Sequence, residues 1–421
     1  MIQLIRGFRD ILPGEVEIWQ RIEQTAVALF EDFGFRESRI PILEHSELFA
    51  RSIGEDTDIV EKEMYTFADR RGDLITLRPE ATASLVRSYI QHRVYAREPV
   101  QKLYLIGPMF RRERPQKGRY RQFYQIDAEI FGVHSPLADV ELIFLLVTLL
   151  SRLQVTDVGA HINSLGCRRC RPHFRTALLD FLTRRSELLC SDCNRRKARN
   201  PLRILDCKVP GCREAMTDAP SILDHLCPDC QRDFATVQSH LDGLGVPFTV
   251  DPRLVRGLDY YTRTTFEIQT GALGAQSAVA GGGRYDGLME LLGGPDLPAT
   301  GFAIGLDRLA EIVGFDRSGI ARGPDVFIAA LGGDIRSRAF EWCCRLGVDG
   351  IRAEMDFEDR SLKSQMKRAD RLGAARVLIV GEREVQEGAA ILRDMQTRDQ
   401  VAVPLNDLVE NLKQKIHNTS D

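Results

Sequence analysis

The sequence predicts an α+β protein in three parts: a main domain built on antiparallel hairpins, an inserted cysteine-rich module and a C-terminal α/β domain. Three observations predict this organisation. Two stretches, 63–77 and 103–131, are each a pair of β-type runs joined by a short polar turn, which is typical of a hairpin. Eight of the 10 cysteines lie between Cys167 and Cys230. Beyond a linker-like stretch at 316–324, strand and helix patterns alternate.

These patterns also predict the domain boundaries. The 421 residues are enough for two or three domains with a large core. We expect the two parts of the main domain at 1–165 and 248–322, the inserted module at 166–247 and the C-terminal domain at 323–421.

The composition narrows the class of protein. Hydrophobic residues make up 43% and charged residues 28% of the chain, and the net charge is −3, as in ordinary globular proteins. No apolar stretch approaches membrane-spanning length, and the first residues lack the apolar core of a signal peptide. We therefore expect a cytoplasmic protein with no membrane partner. None of the 8 histidines falls in the motifs below, which argues against histidine-based acid–base or triad chemistry.

Helical spacing of apolar residues predicts a first helix over 17–33. The following stretch, 35–43, is predicted to be one strand, and Pro41 places it at a sheet edge or bulge; such an edge can pair across a dimer interface or be covered within the chain. The 63–77 hairpin leads into a helix from Ala83 to His92, with Thr82 placed as its N-cap. Glu80 is interpreted as a helix-start carboxylate or as a ligand for an amine.

The central hairpin, 103–131, has an arginine-rich tip and a polar strand. The tip has one acid, Glu113, and six cations: Arg111, Arg112, Arg114, Lys117, Arg119 and Arg121. On the returning strand, alternation places Gln125, Asp127 and Glu129 on one face. Arginines suit phosphates, and a buried polar row needs a ligand to satisfy it. The alternative is a solvated edge hairpin with one wet face.

The cysteines of the inserted module form four close pairs. Their spacing fits tetrahedral thiolate sites for Zn²⁺, with two sites of four cysteines each. A partly degenerate zinc knuckle and redox-sensitive thiols remain the alternatives, and the spacing leaves the grouping of the pairs open. The pairs are Cys167/Cys170, Cys190/Cys193, Cys207/Cys212 and Cys227/Cys230.

Three further motifs follow the inserted module. Residues 256–261 read RGLDYY and precede a predicted strand over 264–270. Residues 281–287 read GGGRYDG, and consecutive glycines allow a close approach to the backbone or simply form a turn. Residues 301–309 read as a strand, a glycine turn and a helix, with Arg308 in its first turn. A helix N-terminus with an arginine suits a phosphate.

The C-terminal domain has a regular α/β pattern. We expect strands at 326–331, 351–354, 376–380, 389–395 and 400–403, and helices at 334–346, 362–372 and 405–416. The second of these helices carries a basic face, which is typical of a solvated surface or of a contact with a nucleic-acid backbone. That face comprises Lys363, Lys367, Arg368 and Arg371.

Taken together, these motifs resemble the histidyl-tRNA synthetase family of class II aminoacyl-tRNA synthetases, bacterial type. The segment around Pro41 resembles motif 1, the dimer element, and 110–129 resembles motif 2. Residues 301–309 resemble motif 3, and RGLDYY and GGGRYDG resemble two signatures specific to this family. The resemblance implies an antiparallel sheet of six or seven strands flanked by helices, an insertion between motifs 2 and 3, a C-terminal anticodon-binding domain and a homodimer.

The resemblance also implies a reaction. Histidine is activated with ATP and Mg²⁺ to histidyl-adenylate and pyrophosphate, and is then transferred to the 3′ end of its tRNA. Arg111 and Arg256 would be catalytic and would also contact histidine. Arg111, Glu113, Arg119 and Arg308 would bind ATP. The histidine site would comprise Glu80, Thr82, Gln125, Glu129, Tyr260 and Tyr261, together with those two arginines, with Glu129 and Tyr261 at the two imidazole nitrogens.

Other functions fit parts of the sequence. A non-catalytic paralogue of the family serves as the regulatory subunit of ATP phosphoribosyltransferase, but this chain keeps Arg111, Arg256, Arg308 and a C-terminal domain. A class II synthetase for proline, threonine or glycine would share the C-terminal domain type, but RGLDYY disfavours it. A plain tRNA- or zinc-binding protein would leave the polar row on the central hairpin unexplained.

Overall fold

The computed structural model describes residues 1–54, 57–116, 118–271, 278–316 and 323–417. The chain forms two compact units, Met1–Phe315 and Asp316–Asp421. Lys117 and most of the predicted linker, 317–322, lie outside the described residues. No helix in the described ranges is both long enough and apolar enough to cross a membrane. The boundaries of the inserted module within the first unit stay predictions.

Eleven strands are described in the first unit. They are β1 (Arg36–Glu37), β2 (Leu43–His45), β3 (Tyr65–Ala68), β4 (Leu74–Leu77), β5 (Gln101–Phe110), β6 (Gln122–Phe131), β7 (Val158–Ser164), β8 (Phe248–Val250), β9 (Thr262–Thr270), β10 (Ala278–Arg284) and β11 (Ala299–Gly305). The main sheet has the order β1-β5-β6-β11-β10-β9-β7-β8, and a smaller sheet has the order β2-β4-β3. In the main sheet the six inner strands are antiparallel, and the short β1 and β8 pair in parallel at its edges.

Ten α-helices of the first unit accompany these strands. They are α1 (Val16–Asp32), α2 (Ser46–Ile53), α3 (Thr82–Gln91), α4 (Leu137–Arg152), α5 (Cys170–Arg184), α6 (Ser191–Arg199), α7 (Pro210–Ala215), α8 (Pro228–Gly243), α9 (Leu288–Leu291) and α10 (Leu306–Ile312). Helix α1 follows the predicted spacing, because its buried positions recur on one face. Its Phe30 packs against Tyr104 of β5 and Phe302 of β11, which fixes this helix on one side of the main sheet.

The predicted single strand over 35–43 is wrong. Two short strands, β1 and β2, take its place and belong to different sheets. Between them, the Ile40 and Pro41 carbonyls accept hydrogen bonds from the buried guanidinium of Arg78 at 3.0 and 3.3 Å. Pro41 has no N–H to donate to a ladder, so a side chain rather than a neighbouring strand satisfies the backbone here.

The glycines of GGGRYDG do not form a turn. Gly281, Gly282 and Gly283 lie inside β10, between β9 and β11. A side chain at Gly282 would overlap the backbone of β11. The glycine run therefore allows neighbouring groups to approach the backbone of β10 closely, which was one of its two interpretations.

The cysteine-rich segment carries four helices, α5 to α8, and a core of its own. Phe174, Leu178 and Leu182 of α5 are buried in one cluster with Ile204 and Ile222, which lie in short 3₁₀-helices further along the chain. Four of the cysteines are buried in the same cluster: Cys170, Cys193, Cys212 and Cys230.

The second unit has an α/β fold. Its strands are β12 (Val326–Ala330), β13 (Ala353–Met355), β14 (Arg376–Val380), β15 (Ala389–Asp394) and β16 (Gln400–Pro404), and its helices are α11 (Gly333–Val348), α12 (Leu362–Arg371), α13 (Glu382–Glu387) and α14 (Leu408–His417). The sheet order is β13-β12-β14-β15-β16. The sequence predicted all five strands and three of these helices, but missed the short α13.

The basic face predicted for α12 is only partly available. Arg368 forms an ion pair with the buried carboxylate of Asp356 and lies 3.6 Å from Glu354. This arginine therefore ties α12 to the end of β13 and leaves the outer face to the other three cations.

Candidate active site

A cavity of about 320 Å³ lies over the main sheet of the first unit. Strands β6, β9, β10 and β11 and the starts of α3 and α10 contribute its walls. It brings together ten of the residues that the sequence singled out: Glu80, Thr82, Arg111, Glu113, Arg119, Gln125, Arg256, Tyr260, Tyr261 and Arg308. Glu129 is not in the cavity lining but lies directly behind it, as its contacts below show.

The floor of the cavity is the polar face of β6. Gln125 and Asp127 line it, and the residues beside them on β11 are small, Gly305 and Ala303. The opposite face of the strand is apolar: Ile126 is fully buried there and Tyr124 packs edge-on against Trp19 of α1. Alternation along β6 therefore separates a core face from a face that can receive a ligand.

Glu129 is buried at the end of this row. Its two carboxylate oxygens accept hydrogen bonds from the Thr82 hydroxyl at 2.6 Å and from the Tyr285 hydroxyl at 2.5 Å. A side chain on Gly301, its neighbour on β11, would overlap the Glu129 carboxylate. Burial raises the pKa of Glu129 to about 8, although both hydrogen bonds act in the opposite direction. The carboxyl group thus sits in a low-dielectric pocket with two fixed donors.

Glu80, not Thr82, caps helix α3. Its carboxylate oxygens accept hydrogen bonds from the backbone N–H groups of Thr82 and Ala83, at 2.9 and 3.0 Å. Thr82 is the first residue of the helix and its side chain makes no cap, so the predicted N-cap is wrong. The reason is that Glu80 reaches the orphan N–H groups, which leaves the Thr82 hydroxyl to donate to Glu129.

Two arginines from the hairpin tip border the cavity. Arg111 donates from Nε to the Pro79 carbonyl at 2.9 Å and stacks over Phe123, so its guanidinium is held in one orientation. Arg119 donates to Glu113 at 3.1 Å. Glu113 therefore contacts a basic neighbour, and the two arginines present fixed positive charge to the cavity.

A third arginine comes from RGLDYY. Arg256 forms an ion pair of 2.5 Å with Glu267 of β9. A methyl group at Gly281 of β10 would overlap the Arg256 guanidinium. The first glycine of GGGRYDG is thus what allows this arginine to lie across the strand and reach the cavity.

The remaining predicted residues complete the walls. Arg308, at the start of α10, donates to the Ala278 carbonyl at 2.7 Å. The Tyr260 hydroxyl lies 3.5 Å from Glu80. The Tyr261 ring is packed beside Tyr260 and edge-on to Tyr285, and burial raises the pKa of Tyr261 to about 12. Both tyrosines are therefore neutral hydroxyl donors at physiological pH.

The structure adds residues that the sequence did not assign. Tyr285 holds Glu129, and its position inside GGGRYDG was the available signal. Arg78 donates from Nε to the Pro108 carbonyl of β5 at 3.0 Å, on the same side of the sheet as Gln125. Arg171 of α5 donates to the Tyr261 carbonyl, and no local pattern indicates that a residue of the cysteine-rich segment would support the tyrosine pair.

The eight cysteines of this segment gather into two groups of four. Cys167, Cys170, Cys227 and Cys230 form one, and Cys190, Cys193, Cys207 and Cys212 form the other; in each group the sulfurs lie within 4.8 Å of one another. The Cys167 sulfur lies 3.6 Å from that of Cys170 and 3.8 Å from that of Cys227. Tetrahedral zinc with Zn–S bonds of about 2.3 Å separates its sulfurs by about 3.8 Å. Both groups can hold a metal ion, and the geometry fits zinc.

Comparison with known proteins identifies the scaffold. Residues 7–309 match the family model for histidyl-tRNA synthetase, and residues 325–415 match the anticodon binding domain. The chain belongs to the histidyl-tRNA synthetase family. The predicted family, fold class and enzyme class, an aminoacyl-tRNA synthetase, are thereby confirmed.

Individual relatives are similar over nearly the whole chain. A histidine–tRNA ligase of Desulfatibacillum aliphaticivorans is 62% identical over 98% of both chains. One of Desulforapulum autotrophicum is 64% identical over 97% of this chain and 96% of the relative. Among solved structures, apo S. aureus histidyl-tRNA synthetase is 35% identical with a TM-score of 0.82, and the match covers 97% of this chain and 99% of that one.

Proposed function

We propose that the cavity joins L-histidine to its tRNA in two steps. The histidine carboxylate attacks the α-phosphorus of ATP, a P–O bond to pyrophosphate breaks, and histidyl-adenylate forms. A ribose hydroxyl at the 3′ end of the tRNA then attacks the activated carbonyl, and AMP leaves. The observation that carries this proposal is one cavity with a carboxylate and amide floor and an arginine rim. Such a site neutralises phosphate charge and positions a small zwitterion without covalent catalysis by the protein.

In this proposal the arginines bind the phosphates of ATP. Arg111, held by the Pro79 carbonyl and Phe123, contacts the α-phosphate and the histidine carboxylate. Arg256, held by Glu267, stabilises the charge that develops on the α-phosphate. Arg119 and Arg308 bind the distal phosphates of ATP, which enters as its Mg²⁺ complex. Because these side chains are already oriented, little reorganisation is needed as charge moves.

Glu113 has a supporting part in ATP binding. Its contact with Arg119 favours a role in orienting that arginine, and it also borders the cavity where the adenine would lie.

The floor of the cavity binds the amino acid. Glu80, Thr82 and Gln125 surround the α-ammonium group, and Tyr260 supports Glu80 from the other side. Tyr261 and Glu129 serve the imidazole, with Tyr285 orienting Glu129. A site that hydrogen-bonds the imidazole rejects apolar isosteres, because its own buried groups would otherwise be left without partners.

The alternative function, a regulatory subunit of ATP phosphoribosyltransferase, is less well supported. A structure described as such a regulatory subunit or a histidyl-tRNA synthetase, from Bacillus halodurans C, is 20% identical with a TM-score of 0.66. At that identity it bears on the fold alone. The high-identity relatives are ligases, and the arginine rim has no evident use in a protein that does not activate an amino acid.

The test is amino-acid-dependent ATP–pyrophosphate exchange with each of the twenty amino acids. We expect exchange with histidine alone. Exchange with another amino acid would contradict the substrate, and no exchange from folded protein would favour the regulatory function.

The same proposal extends to partners. A tRNA substrate supports a cytoplasmic location, and the anticodon binding domain at 325–415 supports recognition of the tRNA at its anticodon. We also propose a homodimer formed through the region that resembles motif 1. Two exposed apolar residues on one face of the small sheet, Leu43 and Phe67, support an interface there.

We further propose that each cysteine group holds one structural Zn²⁺. Backbone N–H groups support the sulfurs: Cys227 donates to the Cys170 sulfur at 3.1 Å, and Cys190 donates to the Cys212 sulfur at 3.0 Å. Such donors stabilise thiolates around a metal. All four positions in each group are cysteine, so no ligand position is left for a substrate and the role would be structural.

A further inference from the structure

Asp127 is a cavity residue to which no role has yet been given. It lies on β6 between Gln125 and Glu129, on the same face, and only 1% of it is exposed. It nevertheless lines the cavity. Among the described residues, no group donates a hydrogen bond to its Oδ2 atom. A buried carboxylate oxygen without a donor is costly and calls for an explanation.

The strands on either side offer Asp127 nothing polar. Its neighbour on β5 is Leu105 and its neighbour on β11 is Ala303. The next cation, Arg78, uses its Nε on the Pro108 carbonyl and its Nη1 on the carbonyls of Ile40 and Pro41. A side chain at Gly107, the β5 neighbour of Gln125, would overlap Nη2 of Arg78. Arg78 therefore lies on the same face of the sheet as Asp127 and adds positive charge near it, while Asp127 also borders the cavity.

The other acids of the floor already have donors. Both oxygens of Glu80 accept backbone N–H groups of α3, and both oxygens of Glu129 accept hydroxyl groups. The buried floor acceptors left without a donor in the described chain are Gln125 Oε1 and Asp127 Oδ2. They are two residues apart on one face of one strand, which suits a single ligand group with several N–H donors. An ammonium group has three.

We infer that Asp127 is a further substrate-binding residue, whose carboxylate accepts an N–H of the histidine α-ammonium group beside the amide oxygen of Gln125. The inference rests on the proposed function and deepens it by adding a second carboxylate, beside that of Glu80, to the ammonium subsite. Burial, together with the charges of Glu129 and Glu80, raises the pKa of Asp127 in the empty cavity. A bound ammonium group acts in the opposite direction and favours the ionised carboxylate.

The test is Asp127→Asn, which preserves shape and removes the charge. In pyrophosphate exchange we expect the KM for histidine to rise by about tenfold to a hundredfold, the range for a charge-assisted hydrogen bond, with the KM for ATP unchanged. Asp242→Asn, on the far end of α8, is the matched control and should behave as wild type.

Two inhibitors distinguish a contact of Asp127 with the ammonium group from a contact with the imidazole. Histidinol keeps the ammonium group, and 3-(imidazol-4-yl)propanoate lacks it. We expect Asp127→Asn to weaken the binding of histidinol by the same factor as the binding of histidine. The affinity for the desamino compound should not change. Equal weakening of both inhibitors would place Asp127 at the imidazole and overturn the inference.

Thermal unfolding of the ligand-free variant distinguishes a structural role. If Asp127 serves only to bind a ligand, the Tm of Asp127→Asn will be equal to or above that of wild type. A clear fall in Tm with an unchanged KM for histidine would overturn the inference. Failure of wild-type protein to exchange with histidine would instead overturn the proposed function. An unchanged KM in Asp127→Asn, with active wild type, counts against the Asp127 inference alone.

Discussion

At the scale of single residues, Glu129 makes the stability of the candidate site depend on pH. Its pKa is raised to about 8, chiefly by burial, from an ordinary value of about 4.5. Between these two values the folded protein holds a proton at Glu129 that the unfolded chain has released. The free energy of unfolding therefore falls as pH rises across this window. Burial also raises the pKa of Glu80, so the ligand-free protein becomes less stable toward pH 8.

Replacing Glu129 by Gln removes this titration. We expect the free energy of unfolding of Glu129→Gln to decrease less steeply between pH 5 and pH 8 than that of wild type, because one proton no longer separates the folded and unfolded states. Denaturant unfolding at several pH values measures the slope. Glu31→Gln, on the exposed side of α1, is the control. Parallel curves for wild type and Glu129→Gln would contradict the prediction.

The residues of this site differ in how far the sequence predicted them. Gln125 and Glu129 were placed on one face correctly, because the period of a strand fixes the side on which each residue lies. The partner of Glu129 was missed, since Tyr285 is 156 residues further along the chain and only the fold brings the two together. Thr82 was misplaced for a local reason, because the helix already begins at Thr82 and Glu80 accepts its first free backbone N–H groups.

At the scale of elements, strand pairing decides how the cysteines group. Four close pairs can be combined into two sites in three ways, and spacing does not choose among them. Strands β7 and β8 pair in parallel, so the segment that leaves β7 and helix α8, which leads back to β8, lie side by side. This brings Cys167 to Cys227 and leaves the two inner pairs to each other. The hairpins were predictable from local alternation, whereas this long-range pairing was not.

Metal analysis of purified protein tests the two cysteine groups. We expect about two Zn²⁺ per chain. Cys170→Ser and Cys212→Ser should each lose one ion and lower the Tm, because each ion ties together segments that are distant in sequence. Cys344→Ser, at an exposed cysteine outside both groups, should change neither quantity. Metal-free protein with eight freely titrating thiols in the segment would contradict the prediction.

At the scale of the whole molecule, exposed apolar side chains on the small sheet support the homodimer proposed above. Leu43 on edge strand β2 is 44% exposed, and Phe67 on the other edge strand, β3, is 47% exposed. Their pairing with β4 puts both side chains on one face of the sheet. An edge strand with apolar side chains is a surface that proteins usually cover. The same region resembles motif 1, although the structure replaces its predicted strand by β1 and β2. A two-fold interface would repeat this one patch on both subunits.

Light scattering at micromolar concentration tests that assembly. We expect a mass of twice the chain mass of 47.5 kDa. Leu43→Asp should shift the mass toward that of a monomer, because a charge on each copy would be buried at the interface without a partner. Leu244→Asp, at a residue with 48% exposure beyond the end of α8, is the matched control and should remain dimeric. A monomeric wild type would contradict the homodimer, and a dimeric Leu43→Asp would place the interface elsewhere.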